Sequence, residues 1–167
     1  DRFSLKPSVA VEKAYNNRGF AEKISNDTII YGFRNISTTT LMVTGTYVFN
    51  NKNFLTLNVR QYRSSVDYKR YMLLNMDGTL GEAPFYTGNK DVNFNIINVD
   101  FLYSWNFAPG SFLTIGWKNG IYLDDTVENN QFYAYFRNLN YVIGQPQTNM
   151  VSFKLSYYLD YVYLNRY

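Results

Sequence analysis

In the stretch MVSFKLSYYLDYVY, residues 150–163, the side chains separate into two faces with a period of two residues. Such alternation is the property of a β-strand. One face is entirely aliphatic and aromatic: Val151, Phe153, Leu155, Tyr157, Leu159, Tyr161 and Tyr163. The other face holds Ser152, Lys154, Ser156, Tyr158 and Asp160. A long apolar face that becomes rich in tyrosine at one end is typical of a transmembrane strand, with lipid outside, a polar lumen inside and an aromatic girdle at the interface.

The composition agrees with this interpretation. The 167 residues are 46% hydrophobic and 19% aromatic, with 17 Tyr and 13 Phe. Tyrosine suits a boundary between an apolar and an aqueous phase. A soluble, aromatic-rich β-sandwich or barrel has the same composition. Helical membrane spans are excluded, because no run approaches the roughly 20 apolar residues that a spanning helix needs.

The residue types that are missing narrow the chemistry. The chain has no Cys and no His, which removes disulfides, thiolates, the commonest general base and the commonest metal ligand. The net charge of +3 is dispersed and does not favour nucleic acid as a partner. We therefore expect this segment to have no enzyme activity, metal or cofactor. The chain starts with Asp-Arg-Phe and shows no signal-peptide pattern, so we expect a piece of a longer protein.

The alternation along the chain predicts an all-β fold, an antiparallel up-and-down meander of about six strands in one domain segment, residues 1–167. The strands are expected at about 2–14, 28–49, 54–70, 93–107, 112–123 and 150–163. An alternative for the first strand is that it continues through residues 19–21 to a turn at 25–27. Tight turns at 50–53 and 108–111 would lie at one end, and longer connections, including 75–92 and 124–148, at the other. Outer-membrane barrels sort short periplasmic turns and long extracellular loops in this way. Because the smallest such barrels have about eight strands, we expect the C-terminal part of a larger barrel whose remaining strands precede Asp1.

A short helix is expected within the long extracellular loop. In residues 128–143, apolar residues recur with helical spacing at Phe132, Phe136, Leu139 and Ile143. Gly144 and Pro146 would end this helix. We expect it to pack on the barrel rim by this apolar face; a lid or a docking surface for a partner protein is the alternative.

The strand faces predict which residues meet lipid and which meet the lumen. The lipid-facing set is Leu41, Val43, Leu55, Leu57, Ile97, Val99, Phe101, Leu113, Ile115, Val151, Phe153 and Leu155. The lumen-facing charged set is Arg60, Asp100, Lys118, Lys154 and Asp160, expected to form an internal charge network. Matching the apolar faces of the 108–111 hairpin requires paired residue numbers with an even sum. A sum of 220 would place Trp105 opposite Ile115 and Asp100 diagonal to Lys118.

Several ordered segments carry a resemblance to a known family. They are TIIYGFRN (28–35), YVFNNKNFLTLNVRQYRSSVDYK (47–69), LLNMDGTL (73–80), VDFLYSWNFAPGSFLTIGWKN (99–119) and KLSYYLDYVYL (154–164). Together they resemble an uncharacterised Bacteroidota family in which an N-terminal carbohydrate-binding-like domain of the family 9 type precedes a C-terminal domain of unknown function that looks like an outer-membrane β-barrel. The resemblance covers nearly the whole chain and implies no catalytic residues and no sugar site here.

The last strand also resembles the C-terminal signal that the barrel-assembly machinery reads. Lys154, Ser156, Leu159 and Tyr161 match its polar, small, hydrophobic and aromatic positions, with serine in place of the usual glycine. We therefore predict a bacterial outer-membrane β-barrel domain of unknown specific activity, acting as membrane anchor, pore or platform in a cell-surface, glycan-related protein. Its partners would be the bilayer, the upstream strands, the assembly machinery and surface proteins on the loops. The alternative is a soluble β-barrel or sandwich binding module, which would purify without detergent.

Overall fold

A computed structural model describes residues 2–125 and 135–159. The elements are β1 Phe3–Ser25, β2 Thr28–Asn50, β3 Asn53–Leu74, β4 Leu80–Glu82, β5 Val92–Ala108, β6 Ser111–Asp125, α1 Tyr135–Ile143 and β7 Gln147–Ser156. Among these residues no helix is long and apolar enough to cross a membrane. The predicted all-β class is confirmed, with one short helix.

The strands form one antiparallel meander in the order β1-β2-β3-β5-β6-β7. The sheet has seven strands rather than six, because β4 forms within the predicted 75–92 loop and pairs with the end of β3. β1 also runs on to Ser25, well beyond its clearest alternation. β7 ends at Ser156, so residues 157–159 of the predicted last strand lie outside it, while 160–163 lie outside the described residues.

Connections define two ends of the sheet, which we call the turn end and the loop end. At the turn end, two-residue turns join β2 to β3 and β5 to β6. The carboxamide of Asn50 closes the first by accepting hydrogen bonds from the backbone of Lys52 at 2.8 Å and Asn53 at 3.2 Å. Gly110 allows the second, because its φ of 71° lies in the left-handed region that favours glycine. The loop end holds the remaining connections, including 75–91.

The register assigns faces across the sheet. Between the turn end and the middle of the sheet, residues with odd numbers pair with odd ones in all five strand pairings, as in Val43 with Val59 and Phe101 with Trp117. These residues share one face, the odd face, and their even-numbered neighbours share the other, the even face. Towards the loop end, extra residues in β1 and β3 shift the pairing, one of them beside Asn16, whose φ is 51°.

The sheet buries little apolar surface. Among the described residues, the buried apolar side chains are Ile30, Ala83, Ile97, Ile121 and Val142. α1 covers part of the odd face, and residues 83–91 cover part of the even face near the loop end. Both faces are otherwise uncovered by other described elements, so no second layer encloses a core of the usual size.

Candidate functional site

The odd face carries a continuous apolar surface near the turn end, which we call the apolar band. The register aligns its residues side by side across all six long strands. Its members are Phe3, Leu5, Pro7, Val9, Val11, Leu41, Val43, Tyr47, Leu55, Leu57, Val59, Ile97, Val99, Phe101, Tyr103, Trp105, Leu113, Ile115, Trp117, Val151, Phe153 and Leu155. All twelve residues of the predicted lipid-facing set fall on this one face.

Exposure of the apolar band varies with position in the sheet. The side chains of the two edge strands are open, with Val9 64% and Phe153 72% exposed. On the central strands the aliphatic band residues are half-buried against their neighbours in the sheet, whereas Tyr47, Trp105 and Trp117 are exposed. Ile97 departs from this pattern, since it is buried beneath α1. The whole band is thus an apolar layer that the described elements leave uncovered apart from this corner.

A polar boundary follows the apolar band on every strand. Moving towards the loop end, the next odd residue after the band is Lys13, Thr39, Gln61, Asn95, Asn119 or Asn149. The boundary crosses the sheet obliquely. Val151 is the last band residue on β7, and the successive strand pairings place it at the same height as Leu5 on β1. On β1, however, the band continues for six more residues, to Val11. A displacement of six residues at ~3.4 Å each over five strand spacings of ~4.8 Å gives a slope of roughly 40° to the pairing direction.

The even face brings together two of the predicted lumen charges. Asp100 pairs directly with Lys118, and Lys118 Nζ lies 3.5 Å from Asp100 Oδ1. Arg60 pairs with Asn98 and is therefore diagonal to Asp100. Lys154 pairs with Thr114, four residues along β6 from Lys118. The predicted network is thus centred on a single cross-strand pair; Asp160 lies outside the described residues.

The predicted register of this hairpin is wrong by two residues, although its faces are as predicted. Trp105 lies opposite Leu113, not Ile115, so the pair sum is 218. The two-residue turn pairs Ala108 with Ser111, so without a bulge the numbers of all paired residues in this hairpin would add up to 219, an odd sum. A bulge between Asn106 and Ala108 restores an even one. Because the extra residue of this bulge lies on β5, the pair sum is 218; an extra residue on β6 would have given the predicted sum of 220.

α1 is attached to the odd face through a ring of three buried asparagines. Asn93 Nδ2 donates to Asn138 Oδ1 at 2.7 Å, Asn138 Nδ2 to Asn95 Oδ1 at 2.8 Å, and Asn95 Nδ2 to Asn93 Oδ1 at 3.0 Å. We call this the asparagine ring. Each carboxamide donates once and accepts once, so every side-chain nitrogen and oxygen of the ring has a hydrogen-bond partner. Tyr135, at the start of α1, donates its hydroxyl hydrogen bond to Gln61 Oε1.

The predicted apolar face of the helix is wrong. Within α1 the buried residues are Asn138 and Val142, whereas Phe136 is 80% and Ile143 49% exposed. Phe132 lies outside the described residues. Apolar periodicity missed the packed face because the sheet beneath offers two asparagine side chains to Asn138. Val142 completes the attachment in a small cluster with Ile97 and Ile121, against which Leu139 packs.

A tyrosine cluster, formed by Tyr68, Tyr71 and Tyr86, occupies the even face at the loop end. The rings of Tyr68 and Tyr71 stack at 5.2 Å, and Tyr86 meets Tyr71 edge-on at 4.7 Å. Arg34 donates to Tyr68 Oη at 2.9 Å. Gly32 makes room for this ring, since a Cβ there would lie 2.2 Å from Tyr68 Cδ1.

The carboxylate of Glu22 holds residues 83–91 over this cluster through Tyr86 and Lys90, and we call these two contacts the clasp. Glu22 accepts hydrogen bonds from Tyr86 Oη at 2.7 Å and Lys90 Nζ at 3.0 Å. The hydrogen bond from Tyr86 is the main reason, and that from Lys90 the second, why the pKa of Glu22 lies below its usual value. Burial, opposed by a backbone hydrogen bond from Lys90, raises the pKa of the Tyr71 hydroxyl. Sequence reasoning missed this clasp because its partners are 64 and 68 residues apart and follow no local period.

A cavity of about 380 Å³, lined by both apolar and polar side chains, lies beyond the apolar band near the loop end. Its lining includes Lys13, Asn35, Arg63, Asp67 and Asp91. Asp67 is held by Lys69, whose Nζ lies 2.5 Å away. The described residues contain no group of three or more acidic side chains that could hold a metal ion. The cavity therefore gathers acidic and basic side chains at the loop end, beyond the apolar band.

Three of the four predicted assembly-signal residues, Lys154, Ser156 and Leu159, lie at or just past the turn end of β7. Lys154 and Ser156 are on the even face of β7, and Leu159 lies three residues past its end, 68% exposed. Tyr161 lies outside the described residues. Gly110 and Tyr158 are in close contact here, since a Cβ at Gly110 would lie 2.9 Å from Tyr158 Cβ.

The comparisons with known proteins assign the chain to a family without a known activity. A family model described as "Domain of unknown function (DUF5916)" matches residues 1–167, so the chain belongs to this family. It has no significant match among curated proteins or among solved structures. The resemblance is confirmed as far as a domain of unknown function; the bacterial group and the carbohydrate-binding domain stay predictions.

Proposed function

We propose that this member of the DUF5916 family is a wall segment of an outer-membrane β-barrel in a Bacteroidota cell-surface protein. The odd face meets lipid through the apolar band, and the even face lines an aqueous lumen. The segment anchors the protein and, with further strands, forms a pore or a platform for surface partners. Catalysis is not part of its role.

The observation that carries this proposal is the slope of the apolar band. In a membrane barrel the strands are tilted by ~35–45° from the bilayer normal, so a level membrane surface must cross them obliquely. The boundary between the band and its polar neighbours slopes by roughly 40° by the spacings of strands and residues. A soluble sheet has no reason to keep an apolar limit at this angle.

The uncovered strands at the two edges support the same proposal. Residues 3–16 of β1 and all of β7 are exposed, and among the described strands each edge strand has a single partner. In lipid every backbone polar group must be paired, so both edges require further strands. We place these upstream of Asp1 in the same polypeptide, where they would close the barrel.

Strand length separates the membrane part from an extracellular part. β1, β2 and β3 have 23, 23 and 22 residues, whereas a transmembrane strand needs about 9–11. The excess lies at the loop end, where the tyrosine cluster, the cavity and α1 are found. This extension is the surface on which partner proteins or an N-terminal carbohydrate-binding-like domain would rest. Insertion would use the barrel-assembly machinery through the end of β7.

Cell fractionation of the full-length protein tests this proposal. We expect it in the outer-membrane fraction, resistant to alkaline extraction and soluble only in detergent. Unheated protein should migrate differently from heated protein in a denaturing gel, as folded barrels do. Recovery as a stable, detergent-free protein would contradict the proposal and favour the soluble binding module.

A further inference from the structure

α1 lies immediately beyond the apolar band on the same face of the sheet. Val142 packs with Ile97, which is the last residue of the band on β5. Asn138 reaches Asn95 and Asn93, which lie two and four residues farther towards the loop end. The helix therefore sits at the height where the odd face changes from apolar to polar.

The contacts of α1 also fix which of its flanks points towards the apolar band. A helix has 3.6 residues per turn, so the direction of each side chain around the axis of α1 follows from its number. Going around the axis from Asn138, one meets first Val142 and then Leu139. Ile143 and Phe136 follow roughly 40–60° beyond Leu139. Asn138 marks the polar side, and Val142 and Leu139 mark the side of Ile97. The same rotation carries Ile143 and Phe136 to the side of the band. Both are exposed, at 49% and 80%.

We infer that α1 is an interfacial helix whose Phe136–Ile143 flank lies in the headgroup region of the bilayer that contacts the apolar band. This inference rests on the proposed function. Helices that lie in a membrane interface bury apolar and aromatic side chains on one flank and direct charged ones to water. Arg137 and Asn140 are exposed and lie on the part of α1 turned away from the sheet.

Lipid is the occupant because the flank is continuous with the apolar band. Ile97 joins the band, Leu139 packs on the cluster around Ile97, and Ile143 follows Leu139 by one turn. A bilayer that covers the band would reach this flank without a gap. The asparagine ring holds the helix at this height, so α1 would also define how deeply the β5–β6 part of the wall sits in the membrane.

Depth-dependent fluorescence quenching in the full-length protein tests the inference. Trp105 and Trp117 are replaced by Phe, as is any tryptophan outside this segment, and single reporters are introduced by Phe136→Trp, Asn140→Trp or Phe153→Trp. The proteins are reconstituted in phosphatidylcholine vesicles brominated at a shallow or a deep acyl carbon. Ile143→Trp is a second flank reporter, and heat-modified gel mobility checks folding.

The expected quenching distinguishes this inference from the proposed function. Phe153→Trp should be quenched by both lipids, Phe136→Trp mainly by the shallow bromine, and Asn140→Trp several-fold less than Phe136→Trp. If Phe153→Trp is quenched but Phe136→Trp and Ile143→Trp are not, the inference fails and the proposed function stands. If folded Phe153→Trp is itself unquenched, both the proposed function and the inference that rests on it are wrong.

Discussion

Asp100 and Lys118 face each other directly across β5 and β6, with Lys118 Nζ 3.5 Å from Asp100 Oδ1. Their side chains are 46% and 68% exposed, so the pair contributes little to stability by itself, on the order of 0–1 kcal/mol. Its importance is that it marks the water-facing side. On either side of it, Val99, Phe101 and Trp117 point to the opposite face.

A lysine should be tolerated on the even face and not on the odd face. Leu57 and Thr56 are neighbours on β3 that point to opposite faces at the same height. In lipid vesicles we expect Leu57→Lys to lower the free energy of unfolding by about 2–4 kcal/mol near the midplane, and Thr56→Lys by less than about 1 kcal/mol. Urea unfolding of the full-length protein measures both. Equal effects of the two substitutions would argue against a lipid-facing odd face.

The asparagine ring should be required for docking of α1. Asn138→Ala removes one member and leaves Asn93 Nδ2 and Asn95 Oδ1 without their present partner, which costs about 1–3 kcal/mol for buried polar groups. Hydrogen exchange of the α1 amides should accelerate by a corresponding factor. Asn140→Ala, an exposed change in the same helix, is the control and should alter exchange little. Slow exchange in Asn138→Ala would show that the ring does not hold the helix.

The clasp over the tyrosine cluster should open in acid. The folded pKa of Glu22 is lowered, so its stabilising contacts are complete above the unfolded value of ~4.3 and are lost as the pH falls through the folded pKa. Hydrogen exchange in residues 83–91, corrected for its intrinsic pH dependence, should therefore accelerate as the pH falls through the lowered folded pKa of Glu22. This step should be absent in Glu22→Gln, where the segment is loosened throughout.

The exposed carboxyl of Glu12, on the same strand, supplies the matched control. Glu12→Gln should retain the acid-dependent step in exchange of residues 83–91. If the step persists in Glu22→Gln, or disappears in Glu12→Gln, another group controls the segment.

Alternation sufficed to predict strands β2, β5 and β6 within about two residues and the shared face of all twelve residues in the predicted lipid-facing set. Faces follow from a local period, and the apolar residues keep that period from Leu41 to Leu155. The exact register did not follow, since it depends on which strand of the β5–β6 hairpin carries the bulge. Either placement preserves the faces, so the hydrophobic pattern could not choose between a pair sum of 218 and one of 220.

The features at the loop end were not predictable in the same way. The buried face of α1 depends on a polar match between Asn138 and two asparagines more than 40 residues earlier. The clasp joins Glu22 to Lys90, which are 68 residues apart and come together only in the folded chain. β4 is a three-residue strand that exists because β3 extends beyond β5 and offers it a free edge. Each depends on tertiary context that hydrophobic periodicity does not contain.

In the proposed barrel wall the odd face of the sheet meets lipid and the even face meets water. The absence of cysteine from this chain allows a single-cysteine scan of β5 at Asn98, Val99, Asp100, Phe101 and Leu102. The full-length protein, free of other cysteines, is placed in lipid vesicles and treated with a small polar maleimide. We predict rapid labelling at positions 98, 100 and 102 and none at 99 and 101 until the protein is unfolded. Labelling at 99 and 101 as fast as at 98 and 102 would contradict the claim.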